Sequence, residues 1–262
     1  MSETPEYTDH NGDQRRLGLL PPTEEQLEHR RLCGSFGDYC ASKGFVSVAE
    51  SDWYDVVQKQ FGDKFNLNQK QTSGCVGFSD AASEMKLRYS LGLPFERLSG
   101  AFSYAHINGG RDAGAMITES MRQSAKNGYC LESEFNLPNI YLNQIPESAK
   151  KSALTRQSRK GFTINNVEEV FTAILLGLFP QFGINVGANF EQFRDGVAGR
   201  NNGYANHSVH GCGMKKINGD WCIEIDNTWG TKWGPFGNGH CYIDRRAIRV
   251  DDAYVHVDSE MH

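Results

Sequence analysis

Cys75 has the strongest local case for nucleophilic chemistry in this sequence. Apolar residues follow it at spacings of three and four, at Phe78, Ala82, Met85 and Tyr89, which predicts a helix that begins at Cys75. A cysteine attacks as a thiolate, and a position at a helix N-terminus lowers the pKa of its thiol. The chain has seven cysteines, however, and an isolated cysteine is more often a buried apolar residue.

A reactive thiol needs partners that lie elsewhere in the chain. A histidine must take the proton, a third group must orient that histidine, and a donor must face the oxyanion that develops on the substrate. The sequence offers three downstream candidates for the base, His207, His210 and His240.

The segment around Cys75 resembles the nucleophile segment of papain-like cysteine peptidases. In Asn68–Ser79, Gln69 stands six residues before Cys75, as the family's glutamine stands before its cysteine. Two positions depart from the family pattern. Thr72 replaces a cysteine that forms a disulfide in secreted members, and Val76 replaces the usual aromatic residue.

Two downstream segments extend the resemblance. Residues 206–209 are similar to the family's histidine strand, and residues 226–234 to its Asn-Ser-Trp-Gly-x-x-Trp-Gly block. His207 and Asn227 follow Cys75 by 132 and 152 residues, close to the family spacing of roughly 130–150. The ordered match covers roughly residues 60–245 and is nearest to bacterial or viral members.

The resemblance implies a cysteine endopeptidase that works through a thioester acyl-enzyme. It makes Cys75 the nucleophile, His207 the base and Asn227 the group that orients the imidazole. The Gln69 amide and the Cys75 backbone N–H would form the oxyanion hole, and Trp229 would shield the His207–Asn227 hydrogen bond from water. His210, with the opposite strand parity, would then be structural. The implied substrate is a peptide or protein, and no metal or organic cofactor is needed.

A glycine should let a bound peptide backbone approach closely. Gly110 matches the family's Asn-Gly-Gly by letter, whereas Gly114 fits better by its distance to the end of the next helix, and Gly114 is favoured. Two other functions stay open: a non-catalytic papain-like protein that binds peptide or serves a structural role, and acyl transfer on a non-peptide amide.

Composition excludes several other classes of protein. The 262 residues include 39% hydrophobic and 23% charged residues, as in an ordinary globular chain. The net charge of −5 and the lack of a long basic run argue against nucleic acid as a partner, and no apolar stretch could span a membrane. The polar, acidic N-terminus has no secretory signal, which favours reduced thiols and a cytoplasmic or virion-associated location.

The helices and strands expected around these residues predict an α+β fold of two lobes with the active site in the cleft between them, and the resemblance implies that this fold is papain-like. Residues 1–44 are predicted to form an N-terminal extension, residues 45–155 a helical lobe with the nucleophile, and residues 156–262 a β-rich lobe with the histidine and asparagine. Helices are expected near 75–91, 114–126 and after Asn166, with Thr72 or Ser73 capping the first. Short strands are expected at 184–186, 207–209, 221–225 and 241–243.

The N-terminal extension raises a question of control. Thr23-Glu24-Glu25-Gln26 after Pro21-Pro22 is a capping-box pattern that predicts a short helix. Only 74 residues precede Cys75, too few for the long inhibitory prosegment of secreted relatives. We therefore expect a protein that is either made active or controlled by residues 1–44.

Overall fold

The longest helix in the described part of the chain begins at the candidate nucleophile. The computed structural model describes residues 4–45, 48–57, 61–158 and 160–257. Helix α3 starts at Cys75 and ends at Ser90, as its periodicity predicts. Every residue from Cys75 to Leu87 is buried, so the helix is enclosed on all sides and not only on its apolar face.

The remaining helices are shorter, and α4 and α5 pack against α3. The helices are α1 (Glu24–Leu32), α2 (Phe36–Ser42), α3 (Cys75–Ser90), α4 (Gly100–Ile107), α5 (Ile117–Asn127), α6 (Glu147–Ala153) and α7 (Val167–Leu175). The predicted helices at 114–126 and after Asn166 correspond to α5 and α7. The Asn166 side chain caps α7 by accepting a hydrogen bond from the Glu169 N–H over 2.8 Å.

A six-stranded antiparallel sheet forms most of the C-terminal half of the chain. The strands are β1 (Glu6–Thr8), β2 (Gln14–Arg16), β3 (Gly161–Thr163), β4 (Gln181–Ile184), β5 (His207–Ile217), β6 (Asp220–Asp226), β7 (His240–Asp244) and β8 (Ile248–His256). The order in the large sheet is β3-β8-β4-β5-β6-β7, and β1 and β2 form a separate hairpin. Helices in front and a sheet behind confirm the predicted α+β class.

The predicted strand at 184–186 was placed too late in the chain. Strand β4 ends at Ile184, because the backbone of Val186 is bonded by a side chain instead of a neighbouring strand. The Asn206 amide accepts from the Val186 N–H over 2.8 Å and donates to the Val186 carbonyl over 2.9 Å. An asparagine side chain can replace a strand partner in this way, since it carries both a donor and an acceptor.

Residues 4–42 are folded onto the rest of the molecule. The hairpin β1–β2 is followed by α1, where Thr23 and Gln26 form the predicted capping box. All seven cysteines lie among the described residues and are free thiols. Within the described ranges, no helix is long and apolar enough to cross a membrane.

Candidate active site

Cys75 is the first residue of α3, and its side chain is completely buried. Gly74 is the N-cap residue and gives no side-chain hydrogen bond, so the expectation that Thr72 or Ser73 caps the helix was wrong. Their hydroxyls bind elsewhere: that of Thr72 donates to a backbone carbonyl over 2.8 Å, and that of Ser73 lies 3.0 Å from the Thr4 hydroxyl. No capping side chain therefore competes with the sulfur for the positive end of α3.

His207 and Asn227 form a hydrogen-bonded pair at the end of two neighbouring strands. His207 begins β5, and Asn227 follows directly after β6. The imidazole Nε2 lies 2.8 Å from Asn227 Oδ1, which also accepts from the Thr228 N–H over 2.8 Å. An amide oxygen only accepts, so Nε2 carries the hydrogen and the Nδ1 lone pair is left free. His207 Nδ1 is buried and has no partner among the described residues.

The indole of Trp229 covers this pair. Its ring centroid lies 5.0 Å from that of His207, and the residue is 1% exposed. Phe190 and Trp233 enclose the indole from its other sides, with centroids at 6.0 Å and 5.4 Å. A hydrogen bond kept from water in this way is stronger than an exposed one.

Two contacts bring the start of α3 to the histidine strand. The Ser79 hydroxyl, one turn after Cys75, lies 2.9 Å from the Ser208 hydroxyl next to His207. The backbone of Ser208 and of Gly18 lies close enough to the Cys75 thiol to lower its pKa. The structure thus brings the thiol, the imidazole and the Asn227 amide into one buried region.

Burial keeps both the thiol and the imidazole neutral in this structure. Burial raises the pKa of the Cys75 thiol to about 11, although the backbone of Ser208 and of Gly18 opposes the shift. Burial also lowers the pKa of His207 to about 4, against the opposing effect of the bond to Asn227. At neutral pH the pair is therefore a thiol and a neutral imidazole, not a thiolate and an imidazolium.

The Gln69 side chain already holds a peptide carbonyl group. Its Oε1 accepts from the Thr228 hydroxyl over 2.7 Å, which fixes the orientation of the amide. Its Nε2 then donates to the Thr72 carbonyl over 2.8 Å and to the Arg16 carbonyl over 3.1 Å. The Gln69 amide therefore bonds one carbonyl of its own loop and one carbonyl of the N-terminal extension.

Arg16 belongs to a stretch of the N-terminal extension, Arg16–Leu20, that we name the covering segment. The Ala115 N–H donates to the Gly18 carbonyl over 2.8 Å, and the Leu20 N–H donates to the Ala115 carbonyl over 2.9 Å. On the opposite side, the Leu19 N–H donates to the Asn206 carbonyl over 3.1 Å. The covering segment is therefore bonded to both sides of the region that contains Cys75.

The hairpin β1–β2 holds the covering segment in place. Tyr7 stacks on Trp229 with ring centroids 5.7 Å apart. The buried Arg15 donates to the Trp229 carbonyl over 3.2 Å and pairs with Asp9 over 2.9 Å and with Asp13 over 2.8 Å. A buried, hydrogen-bonded arginine of this kind resists displacement, because its removal would leave carboxylates without a partner.

The other two downstream histidines bind different residues. Lys86 Nζ, from α3, lies 2.8 Å from His210 Nε2 and forms a buried ion pair with Asp226. His240 faces Glu224 and Asp226. We call Lys86, Asp226 and His210 the ion cluster.

Comparison with known proteins fits this arrangement. The sequence model of the papain family cysteine proteases matches residues 68–254. The chain belongs to the papain family. This family assignment supports cysteine peptidase activity. A separate comparison with curated proteins found no match.

Solved structures of papain-family proteases share the fold. Xylellain, a cysteine protease from Xylella fastidiosa, is 17% identical with a TM-score of 0.71, over 91% of this chain and 94% of that one. Digestive procathepsin L 3 of Tenebrio molitor is 15% identical with a TM-score of 0.62, over 91% and 82%. Bromelain from Ananas comosus, in complex with the E64 inhibitor, is 17% identical with a TM-score of 0.56, over 73% and 91%. These similarities confirm the two-lobed papain-like fold.

The two candidate glycines lie in different surroundings. Gly114 has a φ of +90°, and a Cβ built on it would lie 2.4 Å from the Gly18 carbonyl oxygen. Gly110 has a φ of +81°, and no atom lies within 4 Å of such a Cβ. Of the two, only Gly114 lies against the covering segment.

The sequence reasoning did not identify the covering segment. Its signal was present: Leu17-Gly18-Leu19-Leu20 is an apolar run with a central glycine inside an otherwise polar extension. The glycine is required, because a Cβ at Gly18 would lie 1.8 Å from the Ser73 carbonyl oxygen. The residues that bind this run, Ala115 and Asn206, do so through backbone groups that any residue type carries.

Proposed function

We propose that this papain-family protein is a cysteine endopeptidase whose covering segment holds it in an inactive form. The observation that carries the proposal is the Arg16 carbonyl on the Gln69 amide, because the amide expected to hold the oxyanion already binds a peptide carbonyl of the N-terminal extension. The helix N-terminus at Cys75 and the free Nδ1 of His207 supply the other parts of the reaction.

The reaction proceeds by acyl transfer once the segment has left. His207 Nδ1 takes the Cys75 proton, and the sulfur forms a bond to the substrate carbonyl carbon. The Gln69 amide and the Cys75 N–H stabilise the oxyanion. The imidazolium then gives its proton to the leaving amine, and water hydrolyses the thioester with His207 again as base. Asn227 holds the imidazole in the tautomer that these steps need.

The covering segment would inhibit in two ways. It fills the place of a substrate, since its backbone occupies the hydrogen-bonding groups of Gln69, Ala115 and Asn206. It also keeps water from Cys75 and His207, and burial favours their neutral forms. Release of the segment would rehydrate the pair and favour the thiolate–imidazolium form that attacks.

The substitution Gly18→Val tests both the activity and its control. The new side chain would collide with the Ser73 carbonyl group, so the covering segment must leave the cleft. Overpacking of this kind costs about 1–3 kcal/mol, and we expect peptide hydrolysis to rise about 10- to 100-fold. Gly62→Ala is the matched control, because a Cβ at Gly62 has no atom within 4 Å.

Further substitutions in the Gly18→Val chain test the roles proposed for Cys75 and Gln69. Cys75→Ala should abolish hydrolysis, and Gln69→Ala should lower kcat by about 10²–10³-fold. Alkylation at sub-stoichiometric dose should modify Cys75 before the partly exposed Cys33. If Cys75 is reactive in the open cleft but no peptide of a library is cleaved, the proposed endopeptidase activity is refuted. That outcome would favour a non-peptide amide as substrate. A Cys75 that reacts no faster than Cys33 would refute the activated thiol.

A further inference from the structure

Three potential metal-binding side chains meet on neighbouring strands outside the cleft machinery. They are Cys212 on β5, Glu224 on β6 and His240 on β7. The β5–β6 register shifts between Gly211 and Gly213, so Cys212 is the extra residue of a β-bulge. A bulge redirects a side chain, which here brings the Cys212 sulfur towards residues of β6 and β7, the next two strands on that side of the sheet.

The separations of the three ligand atoms suit a tetrahedral ion. Cys212 Sγ lies 3.6 Å from His240 Nδ1, and His240 Nδ1 lies 3.3 Å from Glu224 Oε1. All three ligand atoms lie within 4.8 Å of one another. Tetrahedral Zn²⁺ with bonds of about 2.3 Å to sulfur and about 2.0 Å to nitrogen or oxygen requires separations of about 3.6 Å and 3.3 Å. The two closest pairs are therefore already at the distances that an ion between them would impose.

The surroundings resemble those of a metal-binding histidine. The second ring nitrogen of His240, Nε2, lies 3.8 Å from Asp226 Oδ1. A ligating histidine commonly directs its other nitrogen to a carboxylate, which orients the ring. Asp226 is itself held by Lys86 and by the Asn66 amide.

The charges also balance around a divalent cation. Asp226 is neutralised by Lys86, so it does not count towards the ion. A Cys212 thiolate and the Glu224 carboxylate together offset two positive charges. Because ligation requires the thiolate and the neutral imidazole, the Cys212 proton and the second ring proton of a charged His240 both pass to solvent as the ion enters. Cys212 and His240 are buried, whereas the Glu224 side chain is 20% exposed and gives an entry path.

We propose that Cys212, His240 and Glu224 bind a Zn²⁺ ion, with the fourth position open to water. Thiolate, imidazole and carboxylate are ligands that zinc accepts together. The ion would join β5, β6 and β7, and thereby the strand that begins at His207 and the strand that ends before Asn227. The site is independent of peptidase activity, so its test does not depend on the function proposed above.

The test uses Co²⁺ as a spectroscopic substitute for Zn²⁺ in the full chain with Cys75→Ala, which removes the cleft thiol as a competing ligand. We expect a thiolate-to-cobalt charge-transfer band and visible bands of tetrahedral intensity, both displaced by Zn²⁺. Cys212→Ser should abolish the charge-transfer band, and His240→Gln should weaken binding by at least about 100-fold. Cys222→Ser is the matched control, since Cys222 is also buried, lies on β6 and contacts a backbone carbonyl.

Unfolding temperatures without metal distinguish a lost ligand from a lost fold. If Cys212→Ser or His240→Gln lowers the unfolding temperature, the test uses Glu224→Gln instead, because Glu224 is partly exposed. We expect this variant to bind cobalt at least about 10-fold more weakly. The proposal is overturned if no charge-transfer band forms. It is also overturned if the band survives Cys212→Ser, or if folded Glu224→Gln binds cobalt as tightly as the parent chain.

Discussion

The cleft and the ion cluster are adjacent in sequence at Asn227 and Asp226. Their buried acidic groups nevertheless respond to burial in opposite ways. In the cleft, Cys75 and His207 lose their charges, because the groups that contact them are backbone amides and the neutral Asn227. In the ion cluster, burial lowers the pKa of His210 as it lowers that of His207, but Asp226 keeps its charge, because Lys86 and His240 overcome the effect of burial and lower its pKa to about 2. Burial alone neutralises a group, whereas burial beside an opposite charge preserves it.

This difference indicates which region can change state. The ion cluster contains its own counter-charge, so its charges do not depend on whether the cleft is open. Under the proposal above, the cleft pair is neutral because the covering segment excludes water. We therefore expect uncovering to alter protonation at Cys75 and His207 and to leave Lys86 and Asp226 as they are.

The largest effect should come from breaking the ion cluster. Lys86→Met leaves the Asp226 carboxylate buried without its cation, and the free energy of unfolding should fall by about 3–5 kcal/mol. Urea denaturation of the Cys75→Ala chain measures this. Adding Asp226→Asn should recover most of the loss, because the orphaned charge is then gone. A double variant as unstable as Lys86→Met alone would contradict the charge argument.

Lys150→Met is the matched control for that experiment. Lys150 also pairs with a carboxylate, that of Glu147, but the pair lies on the surface of α6. Exposed ion pairs contribute little, since water and salt screen them. This variant should unfold at nearly the same urea concentration as the parent chain.

The sequence predicted the cleft far better than it predicted the ion cluster or the covering segment. The start of α3 at Cys75 follows from local apolar spacing, and the choice of His207 came from a motif. Lys86 shows no such signal, because a lysine on a helix is normally exposed and only the fold brings it to Asp226. The contact between Arg16 and Gln69 joins distant positions through a backbone carbonyl, which has no residue-type signature.

Acid should destabilise the covered cleft through His207. Its pKa is lowered from 6.5 to about 4, so its contribution to stability is complete above pH 6.5 and is lost as the pH falls from 6.5 towards 4. The loss amounts to about 3 kcal/mol. In the Cys75→Ala chain, urea denaturation at pH 7 and pH 4.5 should show about 2.5 kcal/mol of this loss, because the rest falls below pH 4.5.

His207→Gln isolates that contribution from other groups that titrate in acid. The variant lacks the imidazole, so its stability should fall less between pH 7 and pH 4.5, by about 2.5 kcal/mol. Equal losses in the two chains would mean that burial does not keep His207 neutral. The cleft would then not differ from the ion cluster in the way proposed here.

The smallest effect should come from the aromatic contact that holds the covering segment. Tyr7→Leu removes the stack on Trp229, which is worth about 0.5–1.5 kcal/mol, and initial rates of peptide hydrolysis by the full chain should rise about 2- to 10-fold. Tyr204→Leu is the control, because Tyr204 is 89% exposed. If Gly18→Val raises hydrolysis and Tyr7→Leu does not, the hairpin does not hold the segment. Closure of the cleft would then depend on the backbone bonds to Gln69, Ala115 and Asn206, and substitutions in the hairpin would leave the protonation of Cys75 and His207 unchanged.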